Sequence, residues 1–336
     1  MQLPLASIPF SQLCAVAILT AALISSTAFA QTDDFAAASQ AYKARDFETA
    51  LEKFESSAQD GNVNAQWMTG LMYRTGRGTE KDPKLAFDWF NQAAEAGHAG
   101  AQADMAQMLL DGDGVDRNDG QAVFWFAKAT DGGDAQARMS LAQLFEQGRG
   151  IEQDYNEAAD LYLESAIQGN SDALYKLGEF AELGLAAPKS LSDARNWFQN
   201  AADRGHLAGQ ERIGYFQEEG LGGFEQDWFD AAQFYQRAAA KGLPAAQYRL
   251  GKLYLDGRGV MQNTDLALRW ISLSVRPTSL GEPPAQARGT YQRLVSGKTD
   301  AQKRQITAYA KSWRPTKRNK ATPRAASASL GPWLTK

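Results

Sequence analysis

The 336 residues include one cysteine, Cys14, and two histidines, His98 and His206. A single thiol permits no intrachain disulfide. The first thirty residues contain no Asp, Glu, Lys or Arg, and their apolar run, Leu13 to Ile24, is too short for a committed membrane span. An export leader fits this end better. Ala28 and Ala30 occupy the positions a signal peptidase reads, and the polar Gln31-Thr32-Asp33-Asp34 follows, so cleavage is expected after Ala30. Cys14 is preceded by Gln12 and Leu13 and its apolar run follows it, the wrong order for a lipid anchor. The expected mature chain therefore has no cysteine, and its expected location is periplasmic or secreted.

The net charge of −4 conceals an uneven distribution. From Lys298 onward there are ten basic residues and one acidic, a balance of +9 that leaves −13 for the rest. An acidic body does not suit nucleic acid, whereas the basic tail is available for electrostatic contact with anionic surfaces.

An internal period governs the remainder. Gly76, Gly112, Gly148, Gly184 and Gly220 are spaced by 36 residues, and Gly257 follows after 37. The same ruler passes through Ala86, Ala122, Ala158, Ala194, Ala231 and Ala267, and through Gly97, Gly133, Gly169, Gly205 and Gly242. A further column holds Trp89, Trp125, Leu161, Trp197, Phe234 and Trp270, which its helical spacing marks as core.

Each copy begins a helix at Asp82, Asn118, Asp154, Ser190, Asp227 or Asn263, all preferred N-cap types. Pro83 takes the first helical position after Asp82. This helix runs to the Gly97 column, where glycine accepts the left-handed turn that ends it. The preceding stretch, Ala65 to Thr75 in the first copy, has apolar residues at helical spacing and ends at a Gly-x-Gly pair such as Gly76/Gly78. Small residues at Gly70, Ala106, Ala142, Gly178, Gly214 and Gly251 sit inside that first helix, where glycine is unfavourable unless a neighbour must come close. No hairpin can bury its apolar face alone, so neighbours must stack.

The fold class expected is all-α: a right-handed α-solenoid of antiparallel helix hairpins. Six full repeats, residues 65–276, lie between an N-terminal capping hairpin (31–64) and a C-terminal helical cap (277–313). Residues 1–30 form the leader, and the Lys-, Arg-, Ser- and Pro-rich segment 314–336 reads as disordered. The fourth repeat departs most from the pattern, with Ala186 in place of the second loop glycine and Pro188 after it.

The stretch AQWMTGLMYRTGRGTEKDPKLAFDWFNQAAEAGH and its five successors resemble the Sel-one-like repeat, a relative of the tetratricopeptide repeat. The resemblance implies a solenoid with a concave inner face and the role of an adaptor assembling protein complexes. Some cysteine-rich members are linked to β-lactam hydrolysis, but the paired cysteines that accompany that activity are missing here.

Motifs for catalysis are weak. His98 and His206 share one column, three repeats apart, which places them on the order of 30 Å from each other and unable to share a metal. Asp111-Gly112-Asp113-Gly114 with Asp116 resembles the start of a calcium loop, yet Ala122 stands where the twelfth-position glutamate belongs. Gly220 to Gly223 lacks the Gly-Lys-Ser/Thr of a phosphate loop. No enzyme activity, cofactor or metal is expected.

Apolar residues in otherwise polar columns are more informative, because the repeats serve as controls for one another. Phe124 stands against Asp88, Asp160, Asn196, Gln233 and Arg269, and Phe229 against Lys84, Gly120, Asn156, Ser192 and Asp265. Phe224 and Trp228 lie beside Phe229 in the lengthened fifth loop. Met68 replaces Asp104, Ser140, Lys176, Arg212 and Arg249, and Tyr215 shares a column with Gln107, Gln143, Glu179 and Lys252. These six are the candidate partner-binding residues, since exposed aromatics anchor interfaces. The reading is an exported scaffold for protein partners in envelope or signalling complexes. The alternative is an envelope glycan- or peptidoglycan-binding module or hydrolase.

Overall fold

The computed structural model describes residues 34–316; the expected leader with its cleavage site, Cys14, and the tail after residue 316 lie outside them. Among the described residues there are sixteen α-helices and no strand, the one β-bridge joining Thr278 to Gly281. None of these helices is long and apolar enough to cross a membrane.

The chain forms two compact units, divided after Asp154. The first holds α1 (34–44), α2 (Phe47–Gln59), α3 (Val63–Thr75), α4 (Pro83–Glu95), α5 (Ala99–Asp111), α6 (Asp119–Asp131) and α7 (Ala135–Gln147). The second holds α8 (Tyr155–Ile167), α9 (Ser171–Leu183), α10 (Leu191–Asp203), α11 (Leu207–Glu219), α12 (Trp228–Ala240), α13 (Pro244–Asp256), α14 (Thr264–Ser274), α15 (Ala285–Ser296) and α16 (Asp300–Ser312). Within each unit consecutive helices pack side by side, the hairpins being α3/α4, α5/α6, α9/α10, α11/α12 and α13/α14. This is the all-α solenoid construction, and α15 and α16 both close against α14.

Caps set the uniform helix length. Asp82, Asn118, Ser190, Asp227 and Asn263 each accept a backbone N–H two or three residues on, starting α4, α6, α10, α12 and α14. The first helices begin two residues earlier than their apolar pattern indicates, because Asn62, His98, Asp134, Asn170 and His206 cap them in turn. Leu243 holds that position before α13 and makes no side-chain cap; Pro244, with its preset φ, opens the helix instead.

In the expected core column Leu161 and Trp197 are buried, but in the other four copies the most buried position lies one residue later. Trp89, Trp125, Phe234 and Trp270 are half-buried, whereas Phe90, Phe126, Tyr162, Phe198, Tyr235 and Ile271, each one place later, are fully buried. Four of these face the glycines of the first helices: a Cβ on Gly178 would come within 2.5 Å of the Phe198 ring, one on Gly70 within 2.7 Å of Phe90, one on Gly214 within 2.7 Å of Tyr235 and one on Gly251 within 2.6 Å of Ile271. Glycine stands there because an adjacent side chain occupies the space, which outweighs its cost of about 1 kcal/mol inside a helix.

The second loop glycine performs a different task. Gly114 has φ +74°, and a Cβ there would lie 2.4 Å from the Pro83 carbonyl, so the loop rests on the first turn of the preceding second helix. Gly259 meets Trp228 in the same way. Ala186, at the equivalent place in the fourth repeat, keeps φ +61° despite its side chain.

Candidate functional site

Side chains on the first helices tie three pairs of neighbouring repeats together. Arg74, at the end of α3, places Nη1 2.7 Å from Asp104 Oδ1 on α5, and Trp67 Nε1 donates to the other Asp104 oxygen at 2.8 Å. In the second unit the sign reverses: Glu182 on α9 pairs with Arg212 on α11, and Glu218 on α11 lies 3.5 Å from Arg249 on α13. Such half-exposed pairs contribute about 0–1 kcal/mol each and act mainly on register.

Around Arg249 the array is denser. Its guanidinium pairs with the buried Glu211 carboxylate and lies 4.5 Å from the Tyr215 ring, whose surroundings also hold Arg212 at 4.7 Å. Tyr235 donates its hydroxyl to Glu218 at 2.5 Å. Burial, with Glu179 beside it, pushes the Tyr175 phenol above its ordinary value.

The six candidate residues fall into different environments. Phe124 is 52% exposed, meets Trp125 edge-on, and has Lys128 Nζ 4.8 Å from its ring centre. Phe229 is 64% exposed at the start of α12. The other four are half-buried, which for Met68 and Tyr215 differs from the exposure their polar columns suggest. Tyr215 is flanked by the arginines of two repeats. Phe224 has Arg195 5.2 Å from its ring, and Trp228 has Arg258 at 5.2 Å with the Gly259 loop against its backbone. Met68 packs on the N-terminal core and lines an open apolar groove of about 260 Å³ with Phe35, Tyr42, Phe54 and Trp67.

Phe124 and Met68 belong to the first unit and the other four to the second. Met261, 89% exposed two residues beyond Gly259, is an apolar surface residue that column comparison missed because loop positions vary freely. The Arg249 cluster was missed for another reason. Its signal is Arg249 with acids 31 and 38 residues before it, Glu218 and Glu211, and not a departure within one column. Among the described residues no three or more His, Cys, Asp or Glu side chains converge as a metal site.

Stacked antiparallel hairpins of a single period define an α-solenoid, and repeats of this kind generally build protein-interaction scaffolds. The Sel1 repeat matches residues 63–98, 99–134, 133–170, 171–206, 207–243 and 244–275; the chain belongs to the Sel1 repeat family. Among solved structures it is similar to a protective antigen of uropathogenic Escherichia coli displaying an SLR fold, with a TM-score of 0.69 and 22% identity over 83% of this chain. This chain spans 63% of that protein, less than two thirds of its length. It is also similar to a Sel1 repeat protein from Oxalobacter formigenes, with a TM-score of 0.67 and 26% identity, covering 74% of this chain and 98% of the other. No curated protein matches the sequence significantly.

Proposed function

We propose that this chain is an exported scaffold that holds protein partners in envelope or signalling complexes, using the first-helix face together with Phe124 and Phe229. The observation that carries the reading is the exposure of these two phenylalanines, 52% and 64%, at positions that are polar or glycine in every other copy. A buried phenylalanine contributes roughly 1.5–3 kcal/mol that an exposed one forgoes, so such side chains suit burial against a partner. Trp228 has a different role in this proposal: under Arg258 and beside the Gly259 loop, it fastens the sixth repeat to the fifth and supports the neighbouring Phe229. In this reading the scaffold lies in the periplasm or outside the cell, which the charge-free first thirty residues support, with the basic tail meeting anionic surfaces.

The test combines crosslinking in intact cells with melting of the purified variants. Phe229→Ser is expected to leave the melting midpoint within about 2 °C and to reduce the trapped partner several-fold, whereas Trp228→Ser lowers the midpoint by about 4 °C or more. Undiminished capture by a Phe124→Ser/Phe229→Ser double variant would refute the anchoring role. Recovery of the untreated protein in the cytoplasm with residues 1–30 intact would refute the export.

A further inference from the structure

The two histidines stand 108 residues apart, one in each unit, in the same structural position. His98 Nδ1 accepts the backbone N–H of Ala101 at 3.0 Å and starts α5; His206 Nδ1 accepts that of Gly209 at 3.0 Å and starts α11. Each imidazole also lies against an aromatic ring of the preceding first helix. His98 is 4.8 Å from Trp67 with planes 30° apart, and His206 is 4.7 Å from Tyr175 with planes 31° apart. One ring thus joins the start of one first helix to the side of the one before it.

An imidazole can cap in this way only while Nδ1 keeps its lone pair, with the proton on Nε2. Protonation turns Nδ1 into a donor facing another donor. We infer that His98 and His206 are acid-sensitive fasteners, and that acidification releases the starts of α5 and α11 from α3 and α9.

The charged groups facing each ring oppose this release without cancelling it. His98 has Asp104 of its own helix nearby, already bound by Arg74 and Trp67. His206 has Asp172 and Glu179 of α9, with its Nε2 3.3 Å from Asp172 Oδ1. At both sites burial is the largest influence and holds the imidazole below its ordinary range. The sign follows from linkage: the unfolded chain takes up these protons first, so the stabilisation is complete above pH ~6.5 and is lost as the pH falls below it.

The same column supplies the control. Asn62 and Asn170 cap α3 and α9 through a side-chain oxygen that does not titrate. Full-length protein and the His98→Asn/His206→Asn variant are melted at pH 7.5 and pH 5.0. The wild-type midpoint is expected to fall by about 3–6 °C more than that of the variant, each single variant removing part of the difference. In parallel, ¹⁵N chemical shifts of the wild-type rings should report the Nε2–H tautomer and titration of both below pH 6.5. Asp172→Asn should lower the His206 midpoint further while leaving His98 unchanged. Equal losses in wild type and double variant, or titration of either ring at or above pH 6.5, would overturn the inference; the ring titrations decide it even if a variant fails to fold.

Discussion

Replacing Gly114 by alanine separates two effects that the loop glycines combine. At φ +74° an L-residue incurs roughly 1–2 kcal/mol, and alanine returns about 0.4–1 kcal/mol by restricting the unfolded chain. The added Cβ would also fall 2.4 Å from the Pro83 carbonyl and 2.7 Å from the Lys84 nitrogen, and backbone cannot rotate away as a side chain does. Overpacking of that kind costs about 1–3 kcal/mol, so the total loss is about 2–4 kcal/mol. Gly97 provides the comparison: its φ is +89° but nothing lies within 4 Å of a Cβ there, so Gly97→Ala should cost about 1 kcal/mol or less. Ala186→Gly runs the experiment in reverse and should stabilise by about 0.5–1 kcal/mol. Urea midpoints of the three variants, at unchanged slope, give the ordering directly. A Gly114→Ala protein as stable as Gly97→Ala would refute the idea that this loop is held by close approach to the preceding repeat.

Two further outcomes follow from the charge arrangement. Arg249→Met strands the buried Glu211 carboxylate and should cost about 2–4 kcal/mol by urea titration, with at least half recovered by adding Glu211→Gln; no recovery would show that Arg249 acts by packing on Tyr215 and Tyr235 instead. Arg117 and Arg149 bind Asp119 and hold its carboxyl well below the usual carboxylate range. The stabilisation it gives is present above pH ~4 and lost as the pH falls through the acid range, so Asp119→Asn should flatten the acid limb of a stability profile.

The hairpins were legible because the cap and turn residues repeat in register, and register is a property of sequence. Histidine was not recognised as a cap, since the capping preference belongs to Ser, Thr, Asp and Asn and an imidazole joins them only in one tautomer. The core column was displaced by one residue in four of the six copies because tryptophan is the larger and more conspicuous ring, yet the side chains that fit over the mid-helix glycines are the narrower Phe90, Phe198, Tyr235 and Ile271. Column comparison identified Phe124 and Phe229 as exposed. It failed for Tyr215 because its cover, Arg249, comes from the next repeat, and a column records a residue's own copies while saying nothing of what is laid over it.

The fasteners between first helices have a direction. Arg74 reaches forward to an acid, whereas Glu182 and Glu218 reach forward to arginines. Were the second repeat transplanted to follow the fifth, Glu218 would confront Asp104, carboxylate against carboxylate, although every cap and glycine would still align. The modules share one shape but are not interchangeable beads: the seam in the first unit and those in the second carry opposite signs, and a shuffled array would be recognised by its own mismatched seams.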